Sequence, residues 1–224
     1  TSGLGEYTRR SQGRAPEVGM FRDRHDAGRQ LAEELARFVG ASDVIVLGIP
    51  RGGVIVGEEI ARRLSLPLDI IVTSKIGAPG NPEYAVGAVD PDGAVIANPY
   101  AGYSTAELEH LGRSVRETIE RRVQMYRSGR DELDLEGKTA IVVDDGIATG
   151  LTAIAAVEYI YRHGAKEIVL AVPVIASDTA DRLEEMVDEL ITVEEPEIFY
   201  AVGQFYRTFE QTSDDEVLSA LAGR

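Results

Sequence analysis

Apolar residues fall along this chain in two rhythms. Continuous runs rich in β-branched residues occupy Val44 to Ile49, Leu68 to Val72, Ile141 to Val143, Ile168 to Val172 and Leu190 to Val193. Runs of that length with no polar alternation predict strands buried on both faces, the condition of a parallel sheet. Between them the apolar spacing changes to three and four. Ala27, Leu31, Leu35 and Phe38 predict a first helix, capped by Asp23 or Asp26 and ending at Gly40. Val54 to Leu64 and Ser177 to Val187 read the same way, as does the segment after Thr152 with Ile154, Val157, Ile160 and Tyr161. Ser104 to Arg127 is a long helix whose stripe of Leu108, Leu111, Val115, Ile119, Val123 and Tyr126 marks a core or dimer contact. A last helix opens at Ser213, where Ser213 and Glu216 have the spacing of a capping box. Strands alternating with helices predict an α/β fold, a parallel sheet flanked by helices.

Three stretches depart from this alternation. Thr73 to Asn81 is rich in Gly and Pro and reads as a loop; beyond it Tyr84 to Val89 and Ala94 to Ala97, on either side of Asp90-Pro91-Asp92-Gly93, read as an inserted hairpin. Pro196 to Arg207 forms an aromatic tail with Phe199, Tyr200, Phe205 and Tyr206, followed by Phe209. Residues 1–19 have no apolar periodicity and are expected to be a flexible extension, with Met20 as a natural start and residues 20–224 as one domain.

Composition narrows the functional classes. A chain of 224 residues with 44% hydrophobic content can bury one substantial core. No apolar run approaches the roughly 20 residues that span a bilayer, and no apolar core follows Arg9-Arg10 to make an export signal; a cytoplasmic protein is expected. Cysteine is absent, which excludes disulfides and thiolate chemistry, and His25, His110 and His163 are too scattered to suggest a zinc site. His163 is expected in the last turn of a helix ending at Gly164, complementing the dipole. A net charge of −15 opposes attraction to nucleic acid or anionic lipid.

The chemistry concentrates where strand gives way to helix. After Ile141-Val142-Val143 come Asp144 and Asp145, then the turn Gly146-Ile147-Ala148-Thr149-Gly150 and a helix starting near Thr152. In open α/β sheets the carboxyl ends of strands are where ligands bind. The glycines permit close approach, so that successive amides and the helix N-terminus converge on one anion, with Thr149 and Thr152 as hydroxyl donors. Asp144 and Asp145 repel a phosphate but accept bonds from sugar hydroxyls, directly or through a divalent cation. A phosphorylated sugar fits this juxtaposition; on the residues alone, another phosphate or Mg²⁺ site on a flavodoxin-like sheet fits it too. Neither a Walker sequence nor a G-x-G-x-x-G fingerprint is present. Pro50-Arg51-Gly52-Gly53 occupies an equivalent strand-to-helix junction and adds a forked cation. Lys75, one of three lysines, lies in the Gly/Pro-rich segment, near Glu83 and Tyr84.

Two apolar residues, two acids and a turn closing in Thr149-Gly150-Leu151-Thr152 resemble the phosphoribosyl-pyrophosphate (PRPP) signature of the type I phosphoribosyltransferases. The resemblance implies a parallel sheet flanked by helices, a C-terminal hood at approximately 196–224, and an inserted hairpin plus long helix. It also implies Mg²⁺-dependent transfer of 5-phosphoribosyl from PRPP to a nitrogenous base, with release of pyrophosphate, in nucleotide salvage. Asp144 and Asp145 would then hold the ribose diol and, through water, the metal. Gly146, Ile147, Ala148, Thr149, Gly150 and Thr152 would hold the 5′-phosphate. Arg51, Gly52 and Gly53 would form the pyrophosphate loop, which in the family often contains a cis peptide before a non-proline residue. Lys75 would join them from a mobile catalytic loop, although the family's usual Arg-Lys is Ser74-Lys75 here. Tyr200-Ala201-Val202-Gly203 is similar to the segment with which purine salvage enzymes stack their base, which makes Tyr200 the stacking residue. The lysine and aspartate that accompany it in those enzymes are replaced by Pro173 and Arg207. Family habit implies a homodimer. The same residues also suit a non-catalytic regulator that binds PRPP or a nucleotide, or a module for a different sugar phosphate.

Overall fold

The computed structural model describes residues 19–131 and 133–223. Residues 1–18 of the expected N-terminal extension lie outside the described residues. In chain order the elements are α1 (Arg24–Glu34), β1 (Val44–Gly48), α2 (Gly52–Leu64), β2 (Leu68–Ile70), β3 (Ser74–Ala78), β4 (Asn81–Val89) and β5 (Val95–Ala97). They continue with α3 (Thr105–Arg127), β6 (Thr139–Val143), α4 (Leu151–Arg162), β7 (Glu167–Val174), α5 (Ser177–Glu184), β8 (Glu189–Glu194) and α6 (Asp214–Ala222).

A five-stranded sheet in the order β2-β1-β6-β7-β8 is parallel at every pairing. Successive strand residues point to opposite faces, and both faces are covered. Val44 and Val46 of β1, with Ile141 and Val143 of β6, pack into one cluster with α1, α2, α3 and α6. Ile45 and Leu47, with Ala140 and Val142, pack into the other with α4 and α5. The continuous apolar runs follow from this double coverage.

Beyond shifts of a few residues at strand ends, the elements differ from the sequence reading as follows. α1 ends at Glu34 and not Gly40, because a 3₁₀ turn over Ala36–Phe38 swings Phe38 inward and Gly40, at φ +68°, closes against Leu64 O at 2.8 Å. α2 begins at Gly52, so both glycines belong to its first turn. α5 stops at Glu184, short of Val187. The expected loop over Thr73 to Asn81 contains strand β3, which pairs antiparallel with β4, and β4 with β5, in a separate three-stranded sheet. Gly77 permits the irregularity there: a Cβ on it would lie 2.6 Å from Pro82 O.

The stripe on α3 is core contact within the chain, with Leu108, Ile119 and Tyr126 buried. The hairpin turn is anchored on two sides. Arg162 at the end of α4 pairs with the fully buried Asp90, and Arg116 of α3 donates to Gly93 O at 2.7 Å. His163 caps α4, its Nδ1 2.8 Å from Tyr159 O.

A third apolar cluster joins the start of the chain to the aromatic tail. Phe21 N–H donates to Phe205 O at 2.9 Å and Arg207 N–H to Phe21 O at 2.8 Å, with Phe21, Phe205 and Tyr206 buried. α6 leaves this hood, and its Val217, Ala220 and Leu221 join the core. Among the described residues no helix is long and apolar enough to cross a membrane.

Candidate functional site

β1 and β6 are neighbours in the sheet, in register from Val44↔Thr139 to Gly48↔Val143. Their carboxyl ends therefore deliver the two strand-to-helix turns side by side. Ile49 N–H donates to Val143 O at 2.8 Å. A Cβ on Gly53 would stand 2.4 Å from that same carbonyl, and one on Gly52 would stand 1.9 Å from Asp145 Oδ2. Only glycine lets the turns approach this closely. The peptide bond between Pro50 and Arg51 is cis.

The turn after Asp145 is held from behind. Ile147 N–H donates to Val174 O at 2.9 Å and Ala176 N–H to Ile147 O at 3.0 Å, which pins the turn to the end of β7. The Ala148 carbonyl accepts from Thr179 Oγ1 at 2.6 Å, and the Thr149 carbonyl accepts from Arg182. Among the described residues no acceptor engages the amides of Ala148, Thr149 or Gly150. Gly150 adopts φ +76° as the N-cap of α4, whose first amides have no intrahelical partner. Ala148 and Thr149 are exposed and border an open cleft. The arrangement forms a cradle of unengaged amides at a helix N-terminus, which can receive an anion.

The two acids are electrostatically unequal. Asp144 Oδ1 accepts from Asp145 N–H at 2.8 Å. Burial, followed by the neighbouring Asp145 charge, raises the Asp144 carboxyl well above its ordinary value. Burial raises Asp145 as well, but the Arg24 guanidinium opposes the shift, with Nε 2.7 Å from Asp145 Oδ2. Tyr206 donates its hydroxyl to the Asp145 carbonyl at 2.6 Å, and burial and the Asp145 charge raise that phenol far above the ordinary range. Among the described residues no group of three or more His, Cys, Asp or Glu side chains is arranged to hold a metal directly. The available donors are the two carboxylates, a set that suits a hydrated hard cation.

The hood closes the far side. Gly146 lies under Val202, where a Cβ would meet Val202 Cγ1 at 2.5 Å. A cleft of about 640 Å³ opens between the cradle residues Ala148 and Thr149, the start of α5 and the hood residues Phe199 and Tyr200. Tyr200 is 87% exposed there, in a turn fixed by Gln204 Oε1 accepting from its amide at 2.9 Å.

The fold thus gathers Asp144, Asp145, Gly146 to Thr152, Arg51 to Gly53 and Tyr200 around one edge of the sheet. Thr152 is in the first turn of α4, its carbonyl accepting from Thr73 Oγ1 at 3.1 Å. Arg51 is turned toward α6, its Nη1 3.8 Å from Asp214 Oδ1. Lys75 belongs to strand β3 and not to a loop, because pairing with β4 satisfies that backbone; its Nζ is 2.9 Å from Glu83 Oε2. Arg24, Thr179, Arg182 and Tyr206 escaped the sequence reading as site residues. The aromatic tail contained Tyr206; nothing in the sequence pointed to the other three.

A family model described as the phosphoribosyl transferase domain matches residues 19–210. Two curated Mycobacterium tuberculosis proteins, from strains CDC 1551 and H37Rv, are each 46% identical over 206 residues, covering 90% of this chain and 46% of their own length. Both carry a provisional name as phosphoribosyl transferases, and the chain spans about half the length of these relatives. The crystal structure of TT1426 from Thermus thermophilus superposes with a TM-score of 0.76 at 40% identity, covering 90% of this chain and 97% of that one.

Proposed function

The chain belongs to the phosphoribosyl transferase domain family, and from that premise we propose that it transfers 5-phosphoribosyl from PRPP to a nitrogenous base and releases pyrophosphate. One observation carries this reading: the acid pair with its anion cradle and the Arg51-Gly52-Gly53 turn stand on adjacent strands, in contact at Gly52 and Asp145. A ligand with a phosphate at one end, a diol in the middle and a second anion beyond it fits such a row. The 5′-phosphate takes the unengaged amides of Ala148, Thr149 and Gly150 and the N-terminus of α4, the expected Ile147 amide being spent on Val174 O; the diol takes Asp144 and Asp145, and the pyrophosphate takes the first turn of α2 with Arg51. Lys75, on strand β3, is the further cation assigned to the pyrophosphate. As pyrophosphate departs, C1 of the ribose becomes cation-like, so the protein acts chiefly by orienting the reactants and stabilising the leaving charge.

Mg²⁺ fits the donor set, because it commonly binds through one or two carboxylates and substrate phosphates while keeping several waters. Asp144 and Asp145 would hold it, and it would neutralise charge on the pyrophosphate. The acceptor occupies the cleft against Tyr200. Among the described residues that cleft is lined by Asp178, Asp181 and Glu197 and by no basic side chain, so it suits a base that presents N–H donors and disfavours an acceptor bearing a carboxylate.

Pyrophosphate release, followed with PRPP, Mg²⁺ and a panel of purine, pyrimidine and pyridine bases, tests the proposal. Release with at least one base is expected. PRPP binding by calorimetry without release under any acceptor would instead favour a regulator, and no PRPP binding at all would overturn both. A homodimer is proposed on family resemblance, and sedimentation of the full chain tests it.

A further inference from the structure

Arg24 is the first residue of α1, yet its side chain leaves that helix and runs to the site. Its Nε donates to Asp145 Oδ2 at 2.7 Å, its Nη1 donates to Glu210 O at 2.8 Å, and its guanidinium lies 4.0 Å from the centre of the Phe209 ring. The side chains of Arg24 and Asp145 are only 13% and 14% exposed. Few side chains engage one carboxylate, one main-chain carbonyl and one aromatic face together, and a planar forked cation is suited to it. The Asp145 backbone is fixed separately by Tyr206, which the hood supplies. Both ends of Asp145 are therefore held by residues remote from it in the chain.

This restraint has a geometric consequence. The would-be Cβ of Gly52 falls 1.9 Å from Asp145 Oδ2 and 2.8 Å from Arg24 Nε, so the ion pair abuts the first turn of α2. Asp145 can neither swing toward that turn nor use Oδ2 freely. Its Oδ2 is thus committed to Arg24, and the orientation of the whole carboxylate follows from that bond.

We propose that Arg24 is a positioning residue for Asp145: it aims the carboxylate at the ribose of PRPP and ties that aim to the hood segment 206–210. The inference rests on the reading of the site as a PRPP site and goes beyond it, since Arg24 acts through Asp145 without touching the substrate. A double-mutant cycle on the full chain decides the matter, with R24M, D145N and R24M/D145N compared by calorimetry with PRPP and Mg²⁺ and by steady-state pyrophosphate release. R24M is expected to weaken PRPP affinity by about 10- to 100-fold, the worth of a hydrogen bond to a charged group. In the D145N background the same change is expected to cost less than about 3-fold, because the residue through which it acts has already been altered. The cycle runs in parallel with R24K, which keeps a cation within the fold but loses the fork, so misfolding of R24M leaves the question answerable; R24K should bind with intermediate affinity.

Losses that multiply in the double variant would show Arg24 meeting the substrate itself and overturn the proposal. A fall in melting temperature with unchanged PRPP affinity would overturn it too, reducing Arg24 to a structural contact. Wild-type protein that fails to bind PRPP would remove the underlying reading, an outcome distinct from both.

Discussion

Gly52→Ala tests the juxtaposition of the two turns without assuming any activity. The new methyl would stand 1.9 Å from Asp145 Oδ2 and 2.5 Å from its Cγ. The Asp145 side chain is short and pinned by Arg24 at 2.7 Å, so it can make room only by rotating out of the ion pair. Separating a largely buried pair costs about 3 to 5 kcal/mol. The substitution returns about 0.4 to 1 kcal/mol by restricting the unfolded chain, leaving a net loss of about 2 to 4.6 kcal/mol. For a chain of this size each kcal/mol lowers the melting temperature by about 2 to 4 °C, so a drop of about 4 to 18 °C is expected. Gly57→Ala, on the same helix, is the control. Its methyl meets the flexible Leu68 side chain at 3.2 Å, and the gain in helix propensity of about 1 kcal/mol offsets that contact. Differential scanning calorimetry of both variants reads the difference, and PRPP calorimetry of Gly52→Ala should show weakened binding. A Gly52→Ala protein that melts with the wild type and binds PRPP normally would refute the packing of Asp145 on the first turn of α2.

Three further outcomes are expected. Asp144, raised well above the ordinary 3.8 by burial and by Asp145, makes the folded state bind more protons than the unfolded one. Its ionisation therefore lowers stability as pH rises from that ordinary value through the raised native value. Asp144→Asn should match or exceed wild-type stability at about pH 8 and lose the advantage toward about pH 4, and calorimetric scans in which it is the less stable protein at the higher pH would contradict this. Tyr126, buried, donates to Asp214 Oδ1 at 2.5 Å, and burial followed by that bond pushes its phenol up to about 12. Tyr126→Phe should cost about 1.5 to 3 kcal/mol in denaturant titrations. It should also make smaller, by the share of that phenol, the loss of stability that the wild type suffers between the ordinary phenol value of 10 and about 12, the raised Tyr206 and Tyr159 phenols keeping the rest. Tyr200→Ala should leave the melting temperature unchanged, because the ring is 87% exposed, while acceptor KM rises about 5- to 100-fold, the worth of one base-stacking contact. A KM equal to wild type would remove Tyr200 from the acceptor site.

An element is legible in the linear chain where the residues that make it are contiguous. The strands β1, β6 and β7 announced themselves because a parallel sheet covered on both faces demands unbroken apolar runs. The cradle was readable because Asp144 to Thr152 supplies acids, turn and helix start in a single stretch. β3 was hidden for the opposite reason: Gly77, Pro79 and Gly80 give a loop-like composition, and only pairing with β4 makes Ser74–Ala78 a strand.

Chain order and residue type alone thus determined the alternation of strand and helix, the family resemblance and the strand-to-helix turn after the acid pair, because each depends on local periodicity or on close-range chemistry. Tertiary structure decided what those acids can do. Arg24 reaches Asp145 across 121 positions and Tyr206 across 61, and Arg182 takes the Thr149 carbonyl across 33. No pattern in a linear chain encodes such meetings. They arise from the sheet order that sets β6 between β1 and β7 and from the hood that folds back over their ends, and the resulting burial and charge contacts set the unequal proton affinities of Asp144 and Asp145.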